Sequence, residues 1–168
     1  MNKIQKIYKI LLKRLPSKYH IPIKICSTIY SALRYIALKD GKTYQAEKKY
    51  FQKYINTADY KKRTRPINLA DIGAFSSNPI CVMADCKKYS EEGIAATLLH
   101  EISHIVFDST EHEADIFAKR WTAILLKEKL ITEIGFNCYR CNKPNKIKIK
   151  NKFPKNVICK YCKSLGKL

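Results

Sequence analysis

The sequence predicts an α+β fold, mostly helical with a short antiparallel sheet, that ends in a small module built on a different plan. Three observations predict it. Apolar residues recur at helical spacing through most of residues 1–132. Two short β-rich runs, Ile72-Gly-Ala-Phe75 and Pro79-Ile-Cys-Val-Met-Ala84, are separated by Ser76-Ser-Asn, the pattern of two strands and a turn. From Gly135 onward the helical spacing stops and two C-x-x-C pairs stand 17 residues apart. A chain of 168 residues is long enough for one compact domain and a small appendage, divided as 1–132 and 133–168.

Composition narrows the classes. A hydrophobic content of 46% supports a real core and argues against wholesale disorder. A formal net charge of +19, with a pI near 9.7, favours a polyanionic partner, nucleic acid first and an anionic membrane second. No apolar run is long enough for a transmembrane helix. The start of the chain carries Lys3, Lys6, Lys9 and Lys13 and lacks the apolar centre of a secretory signal. Seven cysteines, four of them in C-x-x-C pairs, read as metal binding in a reducing compartment, so an intracellular, cytoplasmic protein is expected.

Taken in order, Ile4, Ile7, Tyr8, Leu11 and Leu15 mark an amphipathic first helix that closes near Pro16, its other face lysine-rich and solvated. Pro22 opens a second helix, with Ile25, Ile29, Leu33, Ile36 and Ala37 on one face and Gly41 past its end. A third helix covers about 44–56, with Tyr50, Phe51, Tyr54 and Ile55 turned inward. Residues 59–68 are a basic loop, a free surface or a phosphate contact. Of the thiols outside the pairs, Cys81 reads as buried and Cys86 as a loop thiol.

Ser90 or Glu91 then opens the helix that carries chemistry. Ile94, Ala95, Leu98, Leu99, Ile102, Ile105 and Val106 form a wide apolar face, and Thr97, His100, Glu101, His104 and Asp108 fill the remaining stripe. His100-Glu-Ile-Ser-His104 is H-E-x-x-H. On a helix the two imidazoles, four residues apart, point the same way and can grip one zinc, while Glu101 can take a proton from a zinc-bound water. A catalytic zinc needs a third protein ligand and one open position. The next helix, running to about Lys129, starts at Thr110 as N-cap with Glu113 in a capping-box pattern. Glu111, Ala114, Asp115 and Ala118 share a face on it, and the two alanines permit close packing. Glu111 would reach the metal, and Asp115, one turn on, would orient a ligand imidazole from behind as an outer partner. Glu113 is the alternative third ligand, and His112 reads as a surface residue. Trp121, Ile124 and Leu125 read as core. A tyrosine such as Tyr89 is a candidate to stabilise an oxyanion.

H-E-I-S-H followed by E-H-E-A-D-I-F-A resembles the gluzincin-type metallopeptidases, and most of all the small intracellular ImmA/IrrE family, over about residues 70–126. That resemblance implies a zincin-like fold, zinc ligands His100, His104 and Glu111, Glu101 as base, and a protein substrate, often a DNA-bound repressor. Ser103 stands where that family often has glycine. In zincins a strand beside the active helix often holds the substrate backbone as an added strand, which the resemblance assigns here to 79–84.

In the tail, Cys138-x-x-Cys141 and Cys159-x-x-Cys162 have the spacing of a four-cysteine zinc ribbon, whose metal would supply the folding energy of so short a segment. Two zinc ions are therefore expected, one catalytic and one structural. Residues 135–168 hold ten Lys or Arg and no Asp or Glu. Lys146, Lys148 and Lys150 alternate with Ile147 and Ile149, which predicts a strand with one basic face. Tyr139, Phe153 and Tyr161 are candidates to stack on bases. The module reads as a DNA- or RNA-binding ribbon, with a structural or protein-docking ribbon as the other possibility. An H-E-x-x-H domain followed by a ribbon also resembles the SprT-like proteases, which act on proteins attached to DNA. Those use a third histidine well downstream, and none follows His112 here.

Overall fold

Ile4, Ile7, Leu11 and Leu15 are spaced to bury one stripe of a helix, and all four are buried in the computed structural model, which describes residues 1–55, 74–138, 140–149, 154 and 156–167. They lie on or just after α1 (Lys3–Arg14). Asn2 caps it in a reciprocal bond with Gln5, and extended backbone at Leu15, before Pro16, ends it. A single 3₁₀ turn, Ser17–Tyr19, follows.

The expected helix from Pro22 divides in two. Ile23–Cys26 is strand β1, and α2 (Ile29–Lys39) starts only after Thr28, whose hydroxyl accepts from the Ser31 amide. Ile23-Lys-Ile25 alternates with period two and is β-branched, so it fits a pleated strand better than a helix. α2 buries Ala32, Leu33, Ile36 and Ala37, and Gly41 takes a positive φ of 65° just past its end. α3 (Tyr44–Ile55) packs on α2. Its Phe51 meets Phe75 edge to face, but Tyr50 is exposed rather than inward, and the buried polar residue on this helix is Glu47. The side chains of Tyr54 and Ile55, and the basic loop at 59–68, lie outside the described residues.

β2 (Ala74–Phe75) and β3 (Ile80–Met83) form the expected antiparallel pair, Ala74 opposite Val82 and Phe75 opposite Cys81. β3 also pairs in parallel with β1, Ile23 opposite Ile80 through Cys26 opposite Met83. The order is β1-β3-β2, so β3 is central and all four of its residues are buried. Cys26, Cys81 and Cys86 are buried thiols outside the metal-binding clusters, and burial pushes Cys26 and Cys86 up to about 11. Cys86 is not in an open loop. It sits in the 3₁₀ segment Ala84–Lys88.

α4 (Glu91–Phe107) places Ile94, Ala95, Leu98, Leu99 and Ile102 at the centre of the core. α5 (Glu111–Lys127) lies against it. Leu125 is buried and Trp121 half-buried against the core, whereas Ile124 is 37% exposed and not a core residue. Two hairpins complete the chain: β4 (Glu133–Asn137) with β5 (Pro144–Lys148), and β6 (Asn156–Ile158) with β7 (Leu165–Lys167). Among the described residues the architecture is thus mixed α+β, with five α-helices, three small sheets and a cysteine cluster at the C-terminal end. No described helix is long and apolar enough to cross a membrane.

Candidate metal centre

Ser90 caps α4 by accepting from the Gly93 amide, and the helix ends where Asp108 adopts left-handed φ 51°, ψ 38°. That residue reverses the chain within a few positions. Thr110, capped reciprocally with Glu113, starts α5 at once. Ala114 and Ala118 are buried at the helix pair, and Glu111 on the first turn of α5 comes to face the last turns of α4.

Three groups meet there. His100 Nε2 lies 3.0 Å from His104 Nε2. Glu111 Oε2 is 3.3 Å from the first nitrogen and Oε1 is 3.4 Å from the second. The donor atoms of His100, His104 and Glu111 all lie within 4.8 Å of one another and could hold a metal ion. Tetrahedral zinc with bonds of about 2.0–2.1 Å separates its ligand atoms by roughly 3.3 Å, so the set has the right size. The outer bonds also fit. His104 Nδ1 is 2.7 Å from the Ser109 carbonyl oxygen, which can only accept, so Nδ1 carries the proton. His100 Nδ1 is 2.9 Å from Asp115 Oδ1. Both rings therefore turn Nε2 lone pairs toward each other and toward a carboxylate, an arrangement that could hold a cation between them.

Glu101 is half-buried next to these ligands. Burial pushes its carboxyl up and Glu111 adds to the rise, while His100, His104 and a hydrogen bond with Ser76 pull it down. The Glu111 carboxylate, bonding to His104, raises that imidazole against the opposing effect of burial. Glu101, Glu111 and Asp115 gather at one spot in a chain with only 14 acidic residues and a charge of +19, which concentrates negative charge where a cation would sit.

Glu113 does not face the histidines. Its carboxylate accepts from the Thr110 amide and hydroxyl, both at 2.8 Å, so it serves as the helix cap. His112 is exposed, and His20 bonds the Leu15 carbonyl oxygen at 2.9 Å. Tyr89 is not beside the site either. It precedes the cap of α4, whose first residue Glu91 is about 14 Å along the axis from His100 at 1.5 Å per residue, too far for the oxyanion role expected from the sequence. Nor can 79–84 accept a substrate strand, because β3 is already paired on both sides. Among the described residues the sheet edge next to the site is β2, whose following residue is Ser76. Three serines escaped sequence reasoning: Ser76 at Glu101, and the pair Ser103 Oγ–Ser109 Oγ, 2.6 Å apart, which ties α4 to the turn presenting the Ser109 carbonyl to His104. A buried serine in the middle of an H-E-x-x-H motif was the available signal.

The second cluster is Cys138, Cys141, Cys159 and Cys162, whose sulfurs also lie within 4.8 Å of one another. Cys138–Cys162 and Cys141–Cys159 are each 3.6 Å apart, close to the roughly 3.8 Å expected between thiolates on tetrahedral zinc with 2.3 Å bonds. The two halves repeat one local design. Asn142 and Lys163 both have positive φ and donate their amides to the carbonyls of Cys138 and Cys159. Asn145, buried, links them by donating to the Lys143 carbonyl and Cys159 Sγ and accepting from the Lys160 amide. A bond from Ser164, then one from the Cys141 amide, holds Cys138 down at about 6, where it is a ready thiolate. Lys146 and Lys148 are exposed on β5 while Ile147 is half-buried, so the alternation seen in the sequence does make a basic face. Tyr161 is exposed, with Lys160 Nζ 4.7 Å from its ring centre. Tyr139, Lys150 and Phe153 lie outside the described residues.

No family model matches this chain, and no curated protein or solved structure matches it. The two clusters stand on their own geometry.

Proposed function

We propose that this chain is an intracellular zinc-dependent peptidase with a zincin-like domain, acting on a protein substrate and carrying a zinc-held ribbon that docks nucleic acid or the substrate. The observation that carries the reading is the convergence of His100 Nε2, His104 Nε2 and the Glu111 carboxylate, with both Nδ1 atoms held from behind. Zinc bound there would lower the pKa of water to near neutrality and polarise a carbonyl. Glu101, its carboxyl raised by burial, suits the task of accepting the water proton near neutral pH and returning it to the leaving amine. Asp115 and the Ser109 carbonyl keep the two imidazoles in the tautomer that can ligate. The Ser76 hydroxyl orients Glu101 from the end of edge strand β2, where an extended peptide could add by main-chain pairing. The E-x-x-A-D run on α5 supports an ImmA/IrrE-like enzyme, and the ribbon supports a SprT-like one.

The test is zinc per chain by elemental analysis, together with cleavage of a peptide library read by mass spectrometry. Wild type should hold two zincs, His100→Ala/His104→Ala one, and Glu101→Gln two with cleavage abolished. One zinc in both wild type and the double histidine variant would remove the catalytic site, and full cleavage by Glu101→Gln would remove the proposed base.

A further inference from the structure

Between the start of α4 and the ribbon lies a cleft of about 670 Å³ that the peptidase chemistry does not use. Lys88, Tyr89 and Glu92 line it on the helical side, and Lys146, Lys160 and Tyr161 on the ribbon side. We infer that this cleft binds single-stranded nucleic acid, with Tyr89 and Tyr161 stacking on unpaired bases and the ribbon lysines contacting phosphates. The inference rests on the reading that the ribbon docks nucleic acid, and it is independent of the peptidase.

Four observations support it. The two tyrosines, 41% and 47% exposed, set aromatic rings on both walls of one concavity, and Lys143 and Lys160 bring Nζ to 5.1 and 4.7 Å from the Tyr161 ring centre. Every base has a face to offer such rings once it is unpaired. Second, Lys146 and Lys160 belong to a segment with ten basic and no acidic residues between 135 and 168, so nothing within it offsets their charge. Third, the acids nearby are engaged. Glu92 accepts from the Gly135 amide at 3.2 Å and keeps its charge at the helical wall, and Asp85 pairs with Lys88 at 2.9 Å, so the anion contacts fall to the two ribbon lysines on the opposite wall. Fourth, the walls are fixed to each other. Glu91 accepts from the Thr132 amide at 2.8 Å, Lys3 bonds both Glu133 and the Tyr89 carbonyl, and β4 comes so close at Gly135 that a Cβ there would stand 3.0 Å from Ser90 Oγ. A preformed cleft of this size suits a small planar group such as a splayed base. An acidic peptide would satisfy the lysines and make no use of the two rings.

Fluorescence anisotropy on the zinc-loaded full chain tests this with labelled oligo(dT), oligo(rU) of the same length, a dT·dA duplex, and a polyglutamate peptide as competitor. The two single strands should bind alike, since stacking and phosphate contacts do not read the sugar, and the duplex about tenfold more weakly or worse. Tyr161→Ala and Tyr89→Ala should each weaken single-strand binding about tenfold or more. Lys146→Ala/Lys160→Ala should flatten the log–log salt slope by about 1.4, near 0.7 per lost phosphate contact. Zinc content and circular dichroism show that each variant is folded, and the exposed Tyr161 ring is the safer substitution. Duplex binding as tight as single-strand binding, or tyrosine variants that bind like wild type, would overturn the cleft while leaving a ribbon that docks nucleic acid through lysines alone. Polyglutamate binding as tightly as oligo(dT) would assign the cleft to acidic peptides instead. Binding to no oligonucleotide would remove both the cleft and the docking role.

Discussion

Asp115 reaches the metal centre from the solvent side. Its side chain is 62% exposed, and one carboxylate oxygen sits 2.9 Å from His100 Nδ1. Asp115→Ala should therefore leave stability nearly unchanged and lower zinc affinity at the histidine site by about 10–100-fold, the usual effect of losing an outer-shell partner. Titration against a competing chelator, beside a thermal melt of the metal-free protein, reads the two effects separately. Unchanged affinity would mean that the imidazole needs no help from Asp115. Ser103 acts from the opposite position. It is buried, and its hydroxyl bond to Ser109 belongs to the turn itself, so Ser103→Ala should cost about 1 kcal/mol in stability as well as affinity.

At the scale of elements, the first turn of α4 is where the ribbon attaches. Glu91 is buried there, accepts from Lys6 Nζ and the Thr132 amide at 2.8 Å each, and further from the Thr132 hydroxyl at 3.3 Å. Burial opposes ionisation, but the bonds from Lys6 and Thr132 win and hold the carboxyl below its ordinary value. A carboxyl depressed in the folded state contributes stability above its unfolded pKa of about 4.3 and loses that contribution as pH falls through the folded value. Glu91→Gln should thus cost about 1 kcal/mol at pH 7, and the two melting curves should converge as pH drops below about 4. A difference that persists undiminished in acid would mean that the charge is not what matters. The α4–α5 pair depends on small residues instead. Ala118 is buried at that contact, and Ala118→Leu should destabilise by about 1–3 kcal/mol through overpacking, measured by urea denaturation.

At the scale of the whole molecule, the two parts are stabilised by different means. Residues from α1 through α5 share one apolar cluster, and none of the two hairpins' strand residues belongs to it. The hairpins bring together four cysteines that could hold a metal ion, and the Glu91, Glu92 and Lys3 bonds tie β4 and its approach to the helices. Removing all metal should expose amides of 133–167 to rapid hydrogen exchange while those of α2 and the core of α4 stay protected, because a structural zinc supplies the folding energy of such a module. Hairpin amides that stay protected in metal-free protein would show that the attachment alone suffices.

Local patterns carried much of this in the sequence. H-E-x-x-H sets two imidazoles on one face because a helix repeats every 3.6 residues, and C-x-x-C pairs form thiolate knuckles whatever precedes them. Helix caps at Asn2, Ser90 and Thr110 depend only on residues three apart. Other features depend on partners distant in the chain, and only the tertiary structure decided them. Ile23–Cys26 became a strand because β3 lies beside it to pair with. β3 became central, closing the edge offered to a substrate, because two strands took both of its sides. Glu111 rather than Glu113 faces the histidines because the left-handed turn at Asp108 sets the rotation of α5 against α4, while Thr110 engages Glu113. Tyr89 moved from an expected role at the metal to the ribbon cleft for the same kind of reason. Periodicity fixes which residues share a face of one element, and long-range packing fixes what that face meets.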